Sequence, residues 1–384
     1  MYLLFLIAVV FALFFNTTIP TWLGYENLIH TLAALPMLIY FTLNLITKKI
    51  RYCKDAVYVI LLAVIIFAFK LSIGQNYFHQ VSLLLIIPMM TSMCFDNLTK
   101  KELTLLRRIT IFFFIALCSL SIVEWTLNYN FFIIPEDNEF WMRLGFFRST
   151  SLLGHPLQNA QVVAIFMAFI AVSDFKKKYI QIILFFLGYV SLFCFDARGA
   201  ILVVTITTVP YFIWKMNRIT KQKKKWMTAV GIFCIFFSML YMVMETPMGG
   251  RLMSIGILDA DSGQTRFDVF NFYQYYNHDF LWGGANNYDY IKGKLHTGAI
   301  ENGVIAMSMY YGIVLTIPML LLLFRFQYRK LSMYSQYDKW LLLAVYYILA
   351  NSNPNLMLPV QWTLWIFTYY TFRSDLLRPH DRNT

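Results

Sequence analysis

MYLLFLIAVVFALFF, residues 1–15, carries no charged side chain. It has no basic leader and no small-residue cleavage site, and a second apolar segment follows closely, so it is expected to stay as a helix and not be removed as a signal peptide. Runs of the same kind recur at 26–46, 55–72, 77–95, 109–127, 158–173, 179–195, 199–214, 226–244, 301–324, 339–351 and 356–372. A hydrocarbon core of about 30 Å needs roughly 20 apolar residues per helix, and these runs approach that length.

The composition agrees: 59% of the residues are hydrophobic and 14% charged, against about 45–50% and about 25% in an ordinary globular domain. The expected fold class is therefore all-α, a polytopic integral membrane protein of about twelve transmembrane helices, forming a single membrane domain over residues 1–384.

Basic residues orient such a chain, because short cytoplasmic loops are rich in Lys and Arg. KKIRYCK (48–54), TKKELTLLRR (99–108), KKK (176–178), KMNRITKQKKK (215–225), RFQYRK (325–330) and the tail after Arg373 fall on one side if the helices alternate. That side holds 24 of the 32 basic residues and 7 of the 20 acidic ones. Both termini are then cytoplasmic, and the excess positive charge is a topology signal that needs no nucleic-acid partner.

The five cysteines lie in or beside apolar runs with no CxxC spacing, so no disulfide is expected. The six histidines contain no i, i+4 pair, and Glu136, Asp137 and Glu139 read as a solvated turn. Neither a metal nor a cofactor is expected, although Asp259 and Asp261 are spaced to take a cation.

Two long stretches interrupt the apolar pattern, at about 128–158 and 245–300, and alternation puts both outside. The second includes QTRFDVFNFYQYYNH (264–278), an expected aromatic helix that either packs onto the bundle or offers rings to sugar faces. Five of the eight outer basic residues are arginines: Arg143, Arg148, Arg198, Arg251 and Arg266. Each taken singly could meet lipid headgroups, but as a group they fit an anionic substrate, since guanidinium bonds phosphate in bidentate fashion and stays charged.

Four local patterns around these arginines resemble the bacterial O-antigen polymerase (Wzy) and O-antigen ligase group. GFFRSTSLLGHPLQNA (145–160) resembles the family's arginine followed by a His/Asn-Pro helix start, and DARGA (196–200) resembles its SRGA. SGQTRFDVF followed by DFLWGGANNY (262–288) resembles its loop arginine and glycine pair, and ENGVIAMSMYYGIVLTIPMLLLL (301–323) its "H-N-x-Y-L" helix. Together they cover roughly residues 140–325.

The resemblance implies a GT-C type glycosyltransferase in the bacterial inner membrane, acting in lipopolysaccharide or capsular polysaccharide biosynthesis. Its site would face the exterior and take undecaprenyl-diphosphate-linked oligosaccharide, with membrane lipid and a chain-length regulator as further partners. By position, Arg198, Arg266 and Arg148 would bind the donor diphosphate. Arg143, Arg251, Asp196, Asp268, His155 and Asn159 are further candidate substrate contacts. Where the ligases carry a histidine this chain has Glu301, and His296 lies five residues earlier, so the base is either of the two. Glu301 at a helix start would also suit the dipole there.

The departure at the base favours a polymerase over a ligase. Arginines can stabilise the departing diphosphate without a metal, and a carboxylate or imidazole can take the acceptor proton. The reading of another class is a lipid-linked sugar or polysaccharide transporter or flippase. A carrier of that kind would show two similar halves joined by a long cytoplasmic linker, and neither feature is legible here.

Overall fold

The computed structural model describes residues 2–14, 18–19, 29–47, 50, 52–133, 147–175, 177–219, 281–295, 300, 302–351 and 359–376. Every regular element among them is helical, so the fold class is all-α. In chain order these are α1 (Tyr2–Phe14), α2 (Ile29–Ile46), α3 (Lys54–Ser72) and α4 (Ile87–Phe95), the last approached through a π-helical turn at Ser82–Ile86. Then come α5 (Lys100–Leu127), α6 (Pro156–Val172), α7 (Lys178–Cys194), α8 (Arg198–Val203) and α9 (Val209–Ile219). The chain continues with α10 (Ala285–Lys294), α11 (Gly303–Tyr311), α12 (Ile313–Lys330), α13 (Gln336–Asn351) and α14 (Pro359–Leu376). The apolar run at 226–244 and the aromatic stretch at 264–278 lie outside the described residues.

Among the described helices α3 and α5 are long and apolar enough to cross a membrane. α5 owes its extra length to a capping box: Thr99 accepts from the Glu102 amide while Glu102 accepts from the Thr99 amide, so helix starts in polar sequence ahead of the apolar run.

The centre is built on α6, apolar on every side and buried continuously from Asn159 to Val172. A helix without a polar face must be enclosed, and α6 is packed by α7, α13 and α14. α14 is similarly sunk, with Trp362, Trp365 and Tyr370 fully buried. By contrast α3 and α12, which pack on each other, leave Leu61, Val64, Ile65, Ile317 and Leu321 exposed.

The run at 301–324, expected as one helix, is two. It breaks at Gly312, whose φ of +87° is left-handed. The cause is the strand of chain at 281–284 crossing it: a Cβ at Gly283 would lie 2.1 Å from the Gly312 nitrogen, and one at Gly312 would lie 2.4 Å from the Leu281 carbonyl oxygen. Only glycine tolerates both the φ and the approach.

Charged side chains sort by bundle end. Asp55 at the start of α3 meets Arg325 at 2.9 Å and Arg329 at 3.0 Å near the end of α12. Asp96, just after α4, meets Lys330 at 2.5 Å and Arg373 at 3.0 Å. Asp174, just after α6, lies 3.6 Å from Lys178 and 3.5 Å from Lys215. These helix ends share one side of the bundle, and the described site candidates Arg148, His155, Asn159, Asp196 and Arg198 cluster at the other.

Candidate functional site

The site grows from the far end of α5. Asn128, at φ +51°, ends that helix in the left-handed conformation, which a short polar side chain tolerates, and its amide donates to the Glu124 and Trp125 carbonyls. One turn earlier Glu124 points inward and is fully buried. Its carboxylate accepts from the Ser149 hydroxyl at 2.6 Å, the Ser151 amide at 2.8 Å and the Phe131 amide at 3.0 Å. A buried carboxylate needs such donors, and two of the three come from a separate stretch of chain.

That stretch, 147–155, leads into α6 and is itself buried: Ser149, Thr150 and Ser151 are inaccessible and Arg148 is 9% exposed. Asn130 braces it from the α5 side, donating to the Arg148 carbonyl at 3.3 Å and accepting from the Thr150 amide at 3.0 Å. Asn159 braces it from α6, donating to the Thr150 carbonyl at 2.5 Å and the His155 carbonyl at 2.9 Å while accepting from the Leu153 amide at 3.3 Å. Asn159 is thus an inner brace with no exposed surface. Ser151 at φ +39° is held in the left-handed region by this web.

A third wall comes from the DARGA motif. α7 ends with the Asp196 amide donating to the Phe193 carbonyl at 2.8 Å and the Ala197 amide to the Leu192 carbonyl at 3.4 Å. With Asp196 at φ +47° this is a Schellman ending. It turns the Phe195 and Asp196 carbonyls toward Arg148, whose guanidinium donates to them at 3.1 Å from Nε and 3.3 Å from Nη2. The Ser149 amide adds a bond to the Cys194 carbonyl at 3.0 Å. Two residues past Asp196, Arg198 opens α8 and is half-buried.

His155 caps α6. Its Nδ1 accepts from the Leu157 amide at 3.2 Å, and Pro156 takes the first helical position, where no amide is needed. Burial, reinforced by the positive charge of Arg148, pulls its pKa down to about 4. The ring is therefore neutral at physiological pH, with its proton on Nε2.

Of the residues singled out by sequence, Arg148, His155, Asn159, Asp196 and Arg198 are gathered at this one end of the bundle. Glu301, His296, Arg266, Asp268, Arg143 and Arg251 lie outside the described residues. Glu124, Asn130, Ser149 and Ser151 were not singled out. Glu124 did leave a trace, being the one charged side chain in the run 109–127, and an ionisable residue inside an apolar span marks a site by default. No protein-family model and no curated protein matches this sequence.

Proposed function

We propose that this chain is a multi-pass membrane glycosyltransferase of the O-antigen polymerase type. It would transfer a glycan chain from undecaprenyl diphosphate to a sugar hydroxyl of another lipid-linked repeat unit at the outer face of the bacterial inner membrane. The twelve apolar runs and the one-sided basic loops support the multi-pass reading. So do α3 and α5 and the outward apolar side chains of α3 and α12, since a protein facing water rarely exposes so continuous an apolar surface.

The observation that carries the functional reading is the joining of two motif stretches by Arg148. Residues 148 and 195–196 lie far apart in sequence, yet one guanidinium bonds both carbonyls beside Arg198, at the bundle end away from the ion pairs. Two arginines brought to one bundle end suit a diphosphate held at a membrane surface.

In the proposed reaction the acceptor hydroxyl oxygen attacks the anomeric carbon of the donor sugar. The bond from that carbon to the diphosphate oxygen breaks, and undecaprenyl diphosphate leaves with the electron pair. Arg198, Arg266 and Arg148 stabilise the departing charge, and Glu301 or His296 takes the acceptor's proton. Replacing Arg198 or Arg266 by alanine is expected to abolish polymer while leaving membrane expression intact; near-normal chain length in both variants would remove the diphosphate assignment. Glu301→Gln is expected to be severely impaired if Glu301 is the base, and wild-type rates would reduce it to a helix cap.

A further inference from the structure

Lys70 sits two residues from the end of α3, where a lysine in a membrane helix ordinarily extends its ammonium to the headgroups. Here it turns inward and is fully buried. Its Nζ donates to the carbonyls of Trp282 at 2.6 Å, Gly283 at 2.9 Å and Tyr310 at 3.4 Å, and lies 5.1 Å from the centre of the Tyr77 ring. An ammonium has three N–H donors and no acceptor, so three converging carbonyls and a ring face fit a cation and give no place to a neutral apolar group.

The three carbonyls belong to two segments that meet at the Gly283–Gly312 crossing. Between them the chain forms a lobe of α10 and α11 with an apolar cluster of its own, made of Ile291, Ile300, Ile305, Ala306 and Met309 and separate from the main core. Within the joint the Gly284 amide donates to the Met309 carbonyl at 3.0 Å. Around it, Gln80 donates to the Tyr310 hydroxyl at 2.5 Å, and the Phe69 and Trp282 rings lie 5.0 Å apart. α11 also packs Met307 and Tyr311 into the main core and donates from the Val304 amide to Asn351, while the Lys70 cation is the group that bonds both segments of the crossing at once.

We infer that the carbonyls of Trp282, Gly283 and Tyr310 form an ammonium-ion site that Lys70 fills from within the chain, making Lys70 a positioning residue that fixes the α10–α11 lobe. The effect on transfer rests on the proposed function, because the lobe encloses the sequence positions of His296 and Glu301. The site itself does not rest on it.

The test is amide hydrogen exchange of the full-length protein in phosphatidylethanolamine–phosphatidylglycerol nanodiscs. Lys70→Met is expected to raise exchange about tenfold or more in peptides covering 281–295 and 303–312 while those of α6 stay unchanged. In Lys70→Ala, whose truncation leaves room for a small cation, methylammonium chloride is expected to restore protection, and tetramethylammonium, which has no N–H, is not. Lys70→Gln, which keeps a donor and loses the charge, is read in the same way and serves if the methionine variant does not accumulate. Unchanged exchange in the lobe, an equal rise in α6, or rescue by neither cation or by both would overturn the inference. If lobe protection behaves as expected but the wild-type protein polymerises nothing, the proposed function fails and the ammonium site stands.

Discussion

The Ser149 hydroxyl donates to the buried Glu124 carboxylate at 2.6 Å, fastening the residue next to Arg148 to the end of α5. Removing the carboxylate strands buried donors on Ser149 and Ser151 at once, and frees the part-buried amide of Phe131. An unsatisfied buried polar group costs about 1–3 kcal/mol, so Glu124→Ala is expected to destabilise the protein by at least about 2 kcal/mol, with Ser149→Ala closer to 1. The check is the unfolding midpoint of the purified variants, where a wild-type midpoint for Glu124→Ala would mean that the carboxylate braces nothing.

Arg148 and Arg198 should separate by the kind of damage they cause. Arg148 uses its planar fork on two carbonyls, a task a lysine point charge cannot reproduce. Arg148→Lys is therefore expected to lower stability by about 1–2 kcal/mol together with transfer. Arg198→Ala, at a half-buried helix start, should lower transfer by about two to three orders of magnitude with a smaller loss of melting temperature than Arg148→Lys. Thermal shift and chain-length assays on the same preparations decide it; equal losses of stability would make Arg198 a brace as well.

The Gly283–Gly312 crossing gives a sharp contrast between glycines. At φ +87°, with the Leu281 oxygen 2.4 Å from any added Cβ, Gly312→Ala is expected to cost about 2 kcal/mol or more. Gly293, inside α10, has nothing within 4 Å of an added Cβ, so alanine there should be neutral or stabilise by up to about 1 kcal/mol. Denaturation of both variants tests this, and a harmless Gly312→Ala would contradict the close crossing.

Acid should weaken the α6 start. The folded His155 pKa is about 4 against an ordinary 6.5, so between these values the unfolded chain binds a proton that the folded one refuses. Stability is then full above about pH 6.5 and falls as pH drops toward 4, by on the order of 3 kcal/mol. His155→Asn keeps a capping side chain without titrating. It should flatten that part of the pH–stability curve, and an unchanged slope would assign the acid sensitivity elsewhere.

The helices were legible because apolar runs and helix lengths follow the same physics: α1, α3, α6 and α7 begin and end within two residues of their runs. Arg148, Asp196 and Arg198 were legible as short motifs. Hidden from the sequence was that 147–155 is an interior segment, since it meets backbone carbonyls at 194–196, which no side-chain pattern encodes, and polar side chains of Glu124 and Asn130 far from it in sequence. The break at Gly312 was hidden for a like reason, as it depends on a second glycine 29 positions away. Glu124 was visible as the lone charge of the run 109–127 and Lys70 as the one basic residue of the run 55–72, but only the fold reveals which backbone groups they hold.

The most direct measurement is the lipid-linked and surface glycan of a strain lacking this protein, resolved by size. Single repeat units accumulating on undecaprenyl diphosphate, with at most single units on the cell surface, are expected for a polymerase. Long lipid-linked polymers with none transferred would contradict that and make the chain a ligase, and a wild-type glycan profile would contradict any role in polysaccharide assembly.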